Sequence, residues 1–128
     1  MPLLAISLLS AFILGACAQS PAENHRPIVF SIAASPESIG PADSTTVTLL
    51  ATDPDGDLLV YDWFTDSRLE ISGTRAGQNW LYTTSSHSHV FYPGPGSPGT
   101  LDTAWVQAVA RDGRGMSDNR LVYIKVQH

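Results

Sequence analysis

Three aspartates alternate in Asp53-Pro54-Asp55-Gly56-Asp57, which gathers three carboxylates into a few residues of chain. Hard cations such as Ca²⁺ take roughly six to eight oxygen ligands from carboxylates, carbonyls and water. The same residues have a second reading, because Asp-Pro and Asp-Gly form turns well without any ion. The stretch is not an EF-hand loop, since the later ligand spacing and the terminal Glu are absent. Two imidazoles, His87 and His89, stand two residues apart and share a face if the chain is extended. Zn²⁺ needs three or four ligands, and no further one is identifiable nearby, so a solvated polar hairpin is expected. Asp62 and Asp66 flank Trp63 and mimic a catalytic carboxylate pair. At strand spacing, Asp62 is expected to face water instead. There is no G-x-S-x-G elbow, no H-E-x-x-H and no phosphate-cradling loop. A non-enzymatic role is therefore expected, with an enzyme or enzyme accessory as an alternative.

The chain has one cysteine, Cys17. The apolar run from Pro2 to Leu14 is uncharged and too short to span a bilayer, but it suits the hydrophobic region of an export signal. Leu14-Gly15-Ala16-Cys17 resembles the bacterial lipobox. That resemblance implies a signal peptide over residues 1–16, cleavage before Cys17, and acylation of that cysteine. Anchoring by several acyl chains is stable because each buried CH₂ adds about 0.8 kcal/mol. The family's positively charged start is missing here. Ala18 follows the cysteine, where Asp would signal inner-membrane retention. The resemblance thus implies the outer membrane or cell surface, with plain secretion as the alternative. Residues 17–27, polar and proline-bearing after the cysteine, are expected to be a lipidated tether.

Composition sets the broad limits. With sixteen residues removed from 128, the mature chain holds about 112, enough for one domain with a core. The net charge is −5, with seven basic residues against twelve acidic ones. That balance opposes binding to nucleic acid, which needs a positive field, and to anionic lipid.

Residues 28–128 alternate short apolar runs with turn clusters, the pattern of a β-sandwich. Strands are expected at Ile28–Ala34, Thr45–Thr52, Leu58–Phe64, Gln78–Thr84, Ser88–Tyr92, Thr103–Arg111 and Leu121–Val126. Turns or loops are expected at Ser35–Ser44, Gly73–Gly77, Ser85–His87 and Pro93–Gly99. Val47, Leu49 and Ala51 share one face of the second strand; Leu59, Tyr61 and Trp63 share a face of the third. An all-β, Ig-like sandwich of about seven strands in two antiparallel sheets follows, with Trp63, Tyr61, Val47 and Leu49 in its core. Ala104, Val106, Ala108 and Ala110 are expected on a strand facing Trp63, where their small side chains leave room for its ring. Trp105 would then point outward beside Gln107, able to stack on a sugar or a protein, unless the Pro93–Gly99 loop covers it. Trp80 and Tyr82 share another strand face.

Leu49–Trp63 (LLATDPDGDLLVYDW) and Val106–Gly115 (VQAVARDGRG) resemble the PKD domain and its cadherin-like relatives. The resemblance covers about residues 24–127. It departs after Trp63, where Phe64-Thr65-Asp66-Ser67 replaces the family's Phe-Gly-Asp-Gly turn. It implies a module serving protein–protein or surface contacts in the cell envelope; the outward aromatics offer polysaccharide recognition as the alternative. In an Ig-type sandwich the N-terminus and two of the loops meet at one end. Asn24, Asp53, Asp55, Asp57 and Asp112 would then lie together, and some members of the family bind Ca²⁺ with matching aspartates.

Overall fold

The computed structural model describes residues 23–71 and 82–128. Cys17 and its lipobox, the first part of the tether, the turn at Gly73–Gly77, Trp80 and the start of the strand expected from Gln78 lie outside the described residues.

The described residues form strands and no helix. In chain order these are β1 (Ile28–Ser35), β2 (Ser38–Ile39), β3 (Thr45–Thr52), β4 (Val60–Thr65), β5 (Leu69–Ile71), β6 (Tyr82–Thr84), β7 (Ser88–Pro93), β8 (Leu101–Arg111) and β9 (Ser117–Gln127). They make a sandwich of two sheets, one ordered β1-β3-β7-β5 and the other β2-β9-β8-β4-β6. The all-β sandwich is thus as expected, with two short additions. β2 lies inside the expected loop at residues 35–44, and β5 follows the turn after β4. Among the described residues every pairing is antiparallel except β2 with β9, which is parallel and departs from the purely antiparallel expectation.

Alternation decides which side chains go inside. Along β3, Val47 and Leu49 are fully buried while Thr46 and Leu50 are exposed. In β1 the register shifts between Val29 and Ser31, and the extra residue, Phe30, is left outward. Side chains of β9 hold the start of β1: the Val29 N–H donates to Asp118 Oδ2 (3.0 Å), and Arg120 donates to the Val29 carbonyl (3.3 Å). Backbone groups at a sheet edge invite wrong pairing, and these two side chains occupy a pair of them.

Trp63 is the centre of the core, with no exposed surface. Phe91 from the opposite sheet meets it edge-on at 5.9 Å. The strand of small residues is placed differently from the expectation. β8 does not face Trp63 but flanks it in the same sheet, and Ala108 is its direct cross-strand partner. Room for the indole is made sideways by Ala108 and Ala110, and the facing surface comes from Val47, Leu49 and Phe91.

Candidate functional site

Two turns and the tether build one end of the sandwich. In the β3–β4 turn, Asp53 Oδ1 accepts the N–H groups of Asp55 (2.8 Å) and Asp57 (3.2 Å). In the β8–β9 turn, Asp112 Oδ1 accepts those of Arg114 (2.7 Å) and Met116 (3.1 Å). Both turns are therefore collared by an aspartate that binds the amides two and four residues on. Gly56 and Gly113 each follow with φ of +73°, a conformation that favours glycine.

The tether docks on these turns. Asn24 Nδ2 donates to Asp112 Oδ2 (2.7 Å). His25 grips Asp55 twice, its N–H on Oδ2 (2.6 Å) and its Nδ1 on Oδ1 (2.8 Å). Arg114 reaches Asp57 Oδ2 at 3.4 Å. The His25–Asp55 bond raises the imidazole's pKa above its ordinary 6.5. Hydrogen bonds from the His25 backbone, then from its ring, hold the Asp55 carboxyl below its ordinary range. Burial pushes the Asp112 pKa up, but the Arg114 amide, Asn24 and Met116 outweigh it and the net shift is downward.

All five predicted oxygen donors lie at this end, in two groups. Asp53, Asp55 and Asp57 each present an oxygen within 4.8 Å of the others. Asp112 and Asn24 form the second group, bonded to each other, with both oxygens of Asp112 already occupied. Two solvent-shielded oxygens have no hydrogen-bond partner, Asp53 Oδ2 and Asn24 Oδ1. Oxygens of this kind suit a cation, whereas the contacts from His25 and Arg114 compete with one.

A second feature lies on the outer face of the β2-β9-β8-β4-β6 sheet. Ala104, Val106, Ala108 and Ala110 are fully buried, so Trp105 and Gln107 point outward as expected. Trp105 pairs across strands with Tyr123, and Gln107 with Leu121. The four side chains line a groove in which Trp105 is half-buried and Tyr123 is 63% exposed. The Pro93–Gly99 loop supplies none of the lining. Its Gly96 instead lies so close to His128 that a Cβ there would fall 2.3 Å from the ring. Tyr123 as Trp105's partner was not foreseen from sequence, although the outward alternation Asn119, Leu121, Tyr123, Lys125 carries the signal.

Asp62 does not face water: it is 7% exposed and holds Arg111, through Nε and through Nη2 (3.0 Å), and the Thr83 hydroxyl (2.7 Å). Burial pushes its pKa up, but these bonds and the Arg111 charge prevail and lower it. Asp66 serves a separate set, accepting the N–H groups of Arg68 (2.8 Å) and Trp105 (3.0 Å). The two aspartates therefore do not act as a pair. His89 does not lie in a solvated hairpin. Its ring stacks on Tyr82 at 4.5 Å and meets Trp63 and Phe91, and burial lowers its pKa. His87 is exposed, beside Tyr61.

No family model matches this chain, and no curated protein matches it. Among solved structures, it is similar to a nucleoside hydrolase-related hypothetical protein from Saccharophagus degradans that is associated with carbohydrate metabolism. The TM-score is 0.50 and the identity 19%, over 83% of this chain and 26% of that one. This chain thus spans about a quarter of the matched protein's length. At that identity the likeness speaks to the fold alone.

Proposed function

We infer that the chain is a lipid-anchored cell-envelope protein that presents a PKD-like sandwich for contact with other surface components, without catalysis of its own. The observation that carries this reading is the docking of the tether. Asn24 and His25, a few residues after the lipobox cysteine, are bonded to the two acidic turns. An anchor at Cys17 sets that end of the sandwich toward the membrane and leaves the sheet faces and the far loops to meet a partner. Ca²⁺ has a structural role in this reading. Bound by Asp53, Asp55 and Asp57 with the Asn24 oxygen, it fixes the angle between tether and sandwich in place of the His25 and Arg114 contacts.

The test is acylation. Expressed in a diderm host, the full chain takes up a labelled palmitate analogue and fractionates with the envelope, and Cys17→Ala abolishes both. Wild-type protein that is unlabelled and soluble outside the cytoplasm overturns the reading in favour of plain secretion.

A further inference from the structure

The groove on the outer sheet face is built from neighbouring strands rather than from a loop. Trp105 and Tyr123 are directly paired across β8 and β9 and both line the groove, and Gln107 and Leu121 form the next outward pair. The β8–β9 ladder fixes the backbone under both rings before any ligand arrives, so binding need order only the side chains.

Charge narrows the occupant. None of the four lining residues is charged, although the chain carries a net −5. The one cation of the same outward row, Lys125 beside Tyr123, is far fewer than the several that nucleic acid or anionic lipid engages. The chemistry of the lining narrows it further. A pyranose has an apolar face of C–H groups, whose slight positive charge suits the negative face of an aromatic ring. Its hydroxyls need amide-type partners at the margin. Gln107 Nε2 donates to Asn119 Oδ1 (3.2 Å), which orients both amides and leaves the Gln107 carbonyl as an acceptor and the Asn119 amino group as a donor of two N–H bonds. Position agrees as well. Trp105 lies six residues along β8 from Arg111, so the groove is about 20 Å from the end where the tether docks.

We propose that this groove binds an uncharged polysaccharide by stacking sugar rings on Trp105 and Tyr123. The proposal rests on the reading of the chain as a surface-contact module and names the class of ligand. The experiment is calorimetric titration of the full chain, in detergent micelles, with chitohexaose and with cellohexaose. Wild type binds at least one of them. Trp105→Ala and Tyr123→Ala each weaken that binding about tenfold while the melting temperature holds, because both side chains lie outside the core. No heat from either sugar at millimolar concentration overturns the proposal, as does equal binding by the variants. A wild-type dimer that Trp105→Ala converts to monomer also overturns it, by giving the face to a second copy of the chain. If acylation at Cys17 is found while both sugars fail, the anchored-module reading stands and the assignment of ligand falls.

Discussion

Asp62 occupies an outward position on β4, yet it is nearly buried because Arg111 and Thr83 close over it from the strands on either side. A carboxylate taken out of water needs such partners, since an unpaired one costs several times what the pair gains. Arg111→Met keeps the stem that covers β4 and removes the charge. We expect it to lower stability by about 2 kcal/mol near neutral pH, less than for a deep pair because the guanidinium is partly hydrated. The sign of the pH effect follows from Asp62's lowered pKa. The stabilisation is fully present above the unfolded value of 3.8 and is lost as pH falls through the lower folded value. Urea melts of wild type and variant at several pH values should therefore differ most near neutrality and converge below pH 3.8. A constant gap, or none, refutes the pairing. Residue by residue, the sequence was legible where one strand decided the outcome, as at Val47, Leu49 and Trp63. It was not legible where distant partners decided it. Arg111 lies 49 residues from Asp62, and Tyr82, although near His89 in sequence, reaches it from the opposite sheet.

At the scale of elements, length governed what could be read. Eight residues of alternation in β3 give a clear period, whereas the two residues of β2 and three of β5 have none. β9 was expected from Leu121 but begins at Ser117, because the β8 ladder pairs it from Leu101↔Gln127 through Arg111↔Ser117. Its first residues are polar and carry no core signal. β5 is held by close approach to β7. The Gly94 N–H donates to the Arg68 carbonyl (2.8 Å), and a Cβ at Gly94 would fall 2.8 Å from backbone atoms of Ser67 and Arg68. Backbone on both sides leaves no flexible side chain to yield. Gly94→Ala should therefore destabilise the domain by about 2 kcal/mol and loosen Leu69 and Ile71 from the core. Thermal melts measure the first effect and hydrogen exchange at those two amides the second. Unchanged protection there would mean that β5 does not depend on the contact.

For the whole molecule, the question is what balances the carboxylates of the tethered end. The DPDGD and DGRG motifs were legible as turns. Their common device, an aspartate binding the amides two and four residues on, was not, because it depends on backbone geometry. In the ion-free arrangement, His25 and Arg114 supply the positive partners of Asp55 and Asp57. Those contacts involve half-exposed cations and contribute little in water, so the Ca²⁺ proposed above would displace them at small cost. The proposed ion would also give a partner to Asp53 Oδ2, a shielded oxygen within the three-aspartate turn that has none. Binding to the folded state alone then raises stability by mass action. At Ca²⁺ a hundredfold above its Kd, the gain is about 2.7 kcal/mol, or a Tm rise of roughly 10 °C for a domain of this size. Asp53→Asn is the informative variant. It retains a carbonyl to bind the Asp55 and Asp57 amides, so the turn persists, but it removes the charge. We expect Ca²⁺ to raise the melting temperature of wild type and to leave Asp53→Asn nearly unmoved. If wild type does not shift at millimolar Ca²⁺, these aspartates serve only as turn formers. If both proteins shift equally, the ion binds elsewhere on the chain.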